Sequence, residues 1–209
     1  MSIIKYIINI YSNNPKSFWL AATLGLFCVL MKIYYPKFRG FMGEFWVKLE
    51  LKKLSNKNYV VLNDIMIKDE YGTHQIDHIV LSNHGIFVIE MKNYYGLITG
   101  REYDSKWCQH LGKTKHYFMN PIYQNYGHIK TLSKLLNIDE RYFVSIICFS
   151  NQAKIKVNTK NVVIQLDYLV DKILEFKEIT LAKNIIDINN IIKNNNITDR
   201  EIRKKHIKG

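Results

Sequence analysis

Hydrophobic positions recur along this chain with two different periods, and one run has no period at all. From Phe18 to Met31 every residue is uncharged and no polar face is present. Phe41 to Leu54 then places Glu44, Val47, Leu51 and Leu54 on one stripe, which predicts an amphipathic helix. Asn58 to Ile67, rich in Val and Ile, reads as a strand. Thr73 to Leu81 and Ile86 to Lys92 read as two more, joined by the turn signal Ser82-Asn83-His84-Gly85. A short Gly-bounded segment, Gly96 to Gly100, and the region around Trp107 follow. Asn120-Pro121 opens a second helix, with a capping residue ahead of a first-position proline, and this helix runs to about Leu136. Tyr142 to Phe149 is a continuous apolar strand of the kind buried on both faces. After one more short strand, Val162 to Leu166, the chain continues in helical patterns to a tail in which Arg200, Arg203, Lys204, Lys205 and Lys208 face a single Glu201. The order helix, three strands, helix, strand predicts an α/β core on a mixed sheet with an antiparallel start.

The unpatterned run sets a separate expectation. Its fourteen residues are short for an upright membrane helix, which needs ~20, but counting on to Tyr35 gives eighteen. Lys32 can then snorkel, and Trp19, Tyr34 and Tyr35 lie where interfacial aromatics sit. No small-residue cleavage site follows, as a signal peptide requires. Residues 1–39 are therefore expected to hold a membrane anchor at about 18–35, with Pro36 to Gly40 as a linker. Lys32, Lys37 and Arg39 after the segment slightly outweigh Lys5, Lys16 and the amino terminus before it. That bias places the following domain in the cytoplasm. A buried helix in a soluble cytoplasmic protein is the alternative.

Composition narrows the class. In 209 residues, 30 Lys and Arg stand against 18 Asp and Glu, a net charge of +12. Such a field draws polyanions or anionic lipid. The three cysteines, Cys28, Cys108 and Cys148, match neither a disulfide framework nor a zinc spacing; Cys28 and Cys148 read as small core residues. No glycine-rich phosphate loop is present, which excludes the usual route to NTP hydrolysis.

Candidate chemistry lies on the two strands flanking the turn. Alternation puts Gln75, Asp77, Ile79 and Leu81 on one face of the first, and Ile86, Val88, Glu90 and Lys92 on one face of the second. A turn centred between Asn83 and His84 opposes Leu81 to Ile86, Ile79 to Val88, Asp77 to Glu90 and Gln75 to Lys92. Two carboxylates then stand side by side on an apolar surface, which is costly by repulsion and by lost hydration. A divalent cation such as Mg²⁺ or Mn²⁺ removes both costs. Lys92 is then placed to hold an attacking water or to stabilise charge on a phosphate. Glu44 extends the apolar stripe of the first helix toward the same end of the sheet, or is simply a first-turn carboxylate favoured by the helix dipole. Gln124, in the first turn of the second helix, offers a side-chain amide to a phosphate or a water.

The segments Gly43-Glu44, Gln75-Ile-Asp77-His-Ile-Val80, Gly85-Ile-Phe-Val-Ile-Glu90-Met-Lys92-Asn93-Tyr, Gly96, Trp107 and Asn120-Pro121-Ile-Tyr-Gln124-Asn together resemble the nuclease-related (NERD) domain. The resemblance covers roughly Gly40 to Phe149, and the family is similar in core layout to the PD-(D/E)xK nucleases. It implies a restriction-endonuclease-like core in residues 40–150, metal ligation by Asp77 and Glu90, a catalytic Lys92, and supporting roles for Glu44 and Gln124. The Pro-Asp of the superfamily is Ile76-Asp77 here. Residues 151–209 are a C-terminal helical extension on which the resemblance is silent.

The remaining polar residues are less directed. His74 and His78 alternate with Asp77 and are expected on the opposite strand face, away from its metal. His84 sits in the turn, and His110, His116 and His128 fall within or near the second helix region, with His128 one turn beyond Gln124. Lys113, Lys115, Lys130 and Lys134 around that helix, with the basic tail, are candidates for phosphate contact. Tyr94, Tyr95, Tyr117 and Tyr123 are candidates for stacking on bases. Three functions fit: a membrane-anchored metal-dependent nuclease acting on DNA, a non-cleaving nucleic-acid tether, and a membrane-bound protein-binding domain.

Overall fold

The computed structural model describes residues 12, 14–54, 58–177, 179–181 and 183–208, without the side chains of 36, 37 and 206–208. Lys5 lies outside these residues, as do the side chains of Lys37 and Lys208. The chain divides into two compact units, residues 1–42 and 43–209. The boundary falls inside one long helix, α1 (Pro15–Leu51).

In the first unit, Pro15–Tyr35 is a 21-residue stretch of mean hydropathy 1.6 with none of its window buried. It is long and apolar enough to cross a membrane. The segment expected as a linker, Pro36 to Gly40, continues the helix instead. Helix-forming neighbours on both sides override the break that proline favours. Cys28 is exposed on this helix rather than in a core, because none of the described residues packs over it.

The second unit is built on a five-stranded mixed sheet of order β1-β2-β3-β7-β9. β1 (Tyr59–Lys68), β2 (Thr73–Ser82) and β3 (Gly85–Lys92) form an antiparallel meander. The β2–β3 turn is the two-residue Asn83-His84, and Gly85 supplies the φ of +127° that follows it. β7 (Phe143–Phe149) runs parallel to β3, and β9 (Val162–Gln165) parallel to β7. Between β3 and β7 the chain crosses over through α2 (Pro121–Leu136). Asn120 caps α2 by accepting the Ile122 N–H at 3.0 Å, and Pro121 stands at its first turn. α3 (Leu169–Glu175), α4 (Ile185–Asn195) and α5 (Arg200–Lys208) complete the unit.

Helices cover both faces of the sheet. On one, Ile79, Leu81, Ile86 and Val88 pack with Ile129 and Leu132 of α2 and Ile188 and Ile192 of α4. On the other, Val80, Phe87 and Ile89 pack with Val47 and Leu51 of α1 and Leu169 and Ile173 of α3. The four residues Ile86 to Ile89 are fully buried, so β3 is the central strand. The mixed α/β architecture is the one the pattern predicts, with an apolar helix before it and helices after it.

A second sheet of order β6-β5-β4-β8 lies in the same unit. β4 (Gly96–Arg101), β5 (Lys106–Leu111) and β6 (Thr114–Met119) are antiparallel, and β8 (Ala153–Asn158) joins β4 in parallel. Only a Gly-bounded segment was expected here, and β8 was not expected at all. The strands are six residues each and polar, so their alternation gives little signal. His110 and His116 therefore lie on strands rather than in the helix region. The inner face carries Ile98, Trp107 and Ala153, which pack on Phe149 of β7. The Trp107 ring covers Gly100, where a Cβ would overlap it, and its Nε1 donates to Arg101 O at 2.9 Å.

Candidate functional site

The β2–β3 ladder pairs Leu81 with Ile86, Ile79 with Val88 and His78 with Ile89, and then stops. The expected register holds to that point. One step further the expected Asp77–Glu90 opposition is replaced by a different arrangement. The Asp77 carboxylate accepts the backbone N–H of Met91 through Oδ2 at 3.0 Å. A side chain has taken the place of a ladder carbonyl.

The cause lies on both outer strands. In β1, Leu62 shares a core face with Ile65 and Ile67, and in β2, Ile79 and Leu81 share that face with Ile76. Strict alternation would put 62 and 65, or 76 and 79, on opposite faces. The pleat is therefore reset on both strands at one level, between the pairs Asn63–His78 and Ile65–Ile76. Asp64 and Asp77 occupy that level, and Asp64 has a left-handed φ of +54°. This reset turns the Asp77 side chain toward β3. It also carries His74 to the α2 side, where its ring meets that of His128 edge to face at 6.2 Å between centroids. His74 was expected on the face of His78 and lies instead on the α2 side. His78 does stay on the other face, where its Nδ1 lies 2.7 Å from Asn63 Oδ1.

Gln75 likewise does not meet Lys92. Its amide donates to Asp64 Oδ1 at 2.8 Å. The same carboxylate pairs with Arg203 of α5, whose guanidinium also donates to Ile197 O at 2.8 Å. Part of the tail expected to contact phosphate or lipid is thus an internal strut. Lys204 is paired with Glu201 at 2.9 Å.

At the end of β3, Lys92 donates from Nζ to Glu90 Oε1 at 2.6 Å and to Gln124 Oε1 at 2.9 Å. α2 delivers Gln124 because Asn125, fully buried beside it, donates to Val88 O and Ser145 Oγ, both at 2.8 Å. This anchor on the sheet was missed by sequence reasoning; its only signal was an amide beside Gln124. His128, one turn on, brings Nε2 to 3.4 Å from Glu90 Oε2. Glu44 reaches the same end from α1, where Gly43 lets the helix approach: a Cβ on Gly43 would come within 2.7 Å of Asn93 Cβ.

Burial and charge set the protonation of this cluster. Glu90 is 2% exposed, and burial alone would raise its pKa. The His128 ring beside it and the Lys92 charge outweigh that and hold it below the usual carboxylate range. Lys92 is pushed up, since the Glu90 charge and hydrogen bond overcome its burial. Asp77 is pushed up to about 8 by burial and by the charge of Glu90, with Glu44 adding to the effect. Glu44 is also raised, by burial and then by Asp64 and Glu90, against the opposing charge of Lys48. At neutral pH the metal-free site therefore keeps a proton on Asp77 beside an ionised Glu90.

Among the described residues, no group of three or more His, Cys, Asp or Glu forms a preassembled metal cage. The donor set nevertheless suits a hard cation that keeps most of its water: Glu90 Oε2 is buried without a hydrogen-bond partner, and Asp77 bears a proton that a cation would displace. The lysines expected at the nucleic acid divide between elements. Lys130 and Lys134 lie on α2, near Glu140 at 4.0 Å and Glu70 at 2.7 Å. Lys113 and Lys115 belong instead to the β5–β6 hairpin, with Tyr117. Tyr94 packs on Phe118 at 4.8 Å as part of the core of the second sheet.

Carboxylates and a lysine gather where the β2–β3 ladder of a mixed α/β sheet breaks, and comparison places the chain in a family. Residues 39–150 match the nuclease-related domain (NERD), and the chain belongs to that family. It is also 37% identical over 185 residues to an uncharacterized protein of Bacillus anthracis, across 86% of this chain and 87% of that one. No solved structure matches it.

Proposed function

We propose that this protein is a metal-dependent nuclease that hydrolyses DNA phosphodiester bonds. Residues 40–150 form its catalytic domain, and residues 18–35 anchor it to a membrane with that domain in the cytoplasm. The observation that carries the reading is the buried Lys92–Glu90–Gln124 cluster beside Asp77, whose side chain has replaced a ladder carbonyl at Met91 N. A fold under no chemical demand gains little from such a group, because buried charge costs more than its pairing returns.

In this reading Asp77 and Glu90 hold Mg²⁺ or Mn²⁺, and Glu44 supports them from α1. The bound ion would supply positive charge at the scissile phosphate and lower the pKa of a coordinated water. Lys92 stays protonated and donates hydrogen bonds toward the attacking water or a phosphate oxygen. Gln124 fixes the direction of that ammonium. Asp77, whose pKa burial and Glu90 raise, would have to give up its proton to hold the ion, so binding would be favoured as pH rises toward 8.

The test is cleavage by the full chain in detergent micelles of plasmid and linear DNA, with Mg²⁺, Mn²⁺ or chelator. Asp77→Asn and Lys92→Ala are each expected to lose at least 100-fold in rate, as removal of a transition-state donor typically does. Cleavage that persists in both variants removes these residues from the site. Binding without cleavage by the wild type replaces the nuclease with a tether.

A further inference from the structure

Resting on the nuclease reading, we propose that the outward face of the second sheet is where the protein holds single-stranded nucleic acid, with phosphates on Arg101, Lys106, Lys115, Lys154 and Lys156 and a base stacked on Tyr117. Strand register gathers these residues. Arg101 pairs with Asn158, Thr99 with Lys156 and Leu97 with Lys154 across β4 and β8. His110 pairs with Lys115, Cys108 with Tyr117 and Lys106 with Met119 across β5 and β6. Ile98, Trp107 and Phe118 point the other way, into the core. By alternation the five cations, drawn from all four strands, share the outer face with Tyr117. Lys113 stands at the hairpin tip beside them.

Three observations select this face and this occupant. All five cations are exposed, and none forms an ion pair with a described residue. The lysines of α2 differ, because Lys130 and Lys134 already have carboxylate neighbours. Asp104, a carboxylate lining the groove on this face, has its Oδ2 occupied by the Arg101 N–H at 2.9 Å. A polyanion is the complement of such a surface. The Tyr117 ring is 67% exposed among these cations. A duplex keeps its bases stacked inside and offers that ring nothing, whereas a single strand offers a base face worth ~1–3 kcal/mol. Finally, a shallow groove crosses the face along Leu97, Thr99, Arg101, His110, Lys156 and Asn158. Its hydrogen-bonded Thr99–His110 pair at 2.9 Å gives it a polar floor.

The face is also tied to the site. Asn120, which caps α2, donates to Glu102 O at 2.9 Å and Asp104 O at 2.8 Å in the β4–β5 loop. The loop bearing the Arg101 end of the face is thereby fixed to the helix that carries Gln124.

Fluorescence anisotropy of the full chain in micelles, in chelator, tests the proposal with labelled single-stranded and duplex oligonucleotides. The charge reversals Lys115→Glu, Lys154→Glu and Lys156→Glu combined are expected to lower single-strand affinity at least tenfold. They should also flatten the slope of log affinity against log salt by about 0.7 for every phosphate left without its cation. Arg replacements at the same three positions should restore both. Tyr117→Ala is expected to weaken single-strand binding about 5-fold or more and to leave duplex binding unchanged. Lys130→Glu with Lys134→Glu serves as the comparison and should cost less than threefold. Wild-type affinity in the triple reversal overturns the proposal. So does a Tyr117→Ala variant with no single-strand defect, or a triple reversal that loses only binding to phosphatidylserine vesicles. Because binding is read without metal, a wild type that binds here but never cleaves refutes the nuclease and leaves this face standing. Cleavage without any dependence on the face does the reverse.

Discussion

Asp77→Asn separates the structural cost of this site from its chemical use. The amide is isosteric and its oxygen can still accept the Met91 N–H that Oδ2 accepts at 3.0 Å, so the ruptured ladder keeps its replacement bond. What disappears is an ionisable group whose pKa rises from 3.8 in an exposed carboxylate to about 8 in the folded protein. Between those values the folded state holds a proton that the unfolded chain has released. Stability of the metal-free wild type therefore falls as pH rises through that window, by at most about 1.4 kcal/mol per unit. At pH 7.5 the ceiling is about 5 kcal/mol; Asp77 is partly exposed, and roughly 1–3 kcal/mol is the expected size after screening. For a chain of this length that is a melting difference of about 3–10 °C in favour of Asn. Thermal unfolding followed by circular dichroism, in chelator, should show the two proteins coinciding near pH 4 and diverging steadily to pH 8. Saturating Mn²⁺ should then reverse the order. A ligand at 100 times its Kd stabilises by about 2.7 kcal/mol, and the variant lacks one anionic donor. Parallel stability curves in chelator would refute the desolvated carboxylate, and an undiminished Mn²⁺ shift in the variant would refute its role as a ligand.

Three other outcomes follow from particular side chains. His78, buried against α1 with its pKa pushed down to about 3 by burial and then by Lys48, stays neutral while the unfolded chain takes up a proton below about 6.5. Stability is lost as pH falls through that window, and His78→Gln should lower the midpoint of acid unfolding. Asn125→Ala removes donors to Val88 O and Ser145 Oγ inside the core. It should cost about 2–4 kcal/mol in urea unfolding and loosen Gln124, slowing cleavage even at temperatures where the variant is folded. Gly100→Ala forces a methyl into the Trp107 ring. A loss of about 1–3 kcal/mol with a changed tryptophan emission is expected, and an unaltered spectrum would contradict that packing.

Much of this protein is legible in its residues alone. The turn Asn83-His84-Gly85 and the alternation beside it set the register from Leu81–Ile86 to Ile79–Val88, because a two-residue hairpin leaves one pairing that buries both apolar sets. Asn120-Pro121 located the start of α2 to the residue, since capping is a local event. The apolar run before residue 35 declared itself by length and lack of charge. Tertiary structure decided what local pattern does not encode. The reset at Asp64 and Asp77 turns one carboxylate from its expected neighbour to a backbone N–H, and it moves His74 to the other side of the sheet. That reset is coupled to an Arg203 more than a hundred residues away, whose guanidinium reaches Asp64. The second sheet was equally hidden. Its short polar strands find partners across the crossover, and β8 is aligned on β4 by pairings that no window of neighbouring residues contains. Short-range periodicity names the groups that can do chemistry; which of them meet, and in what protonation state, depends on packing formed only when distant segments exclude water together.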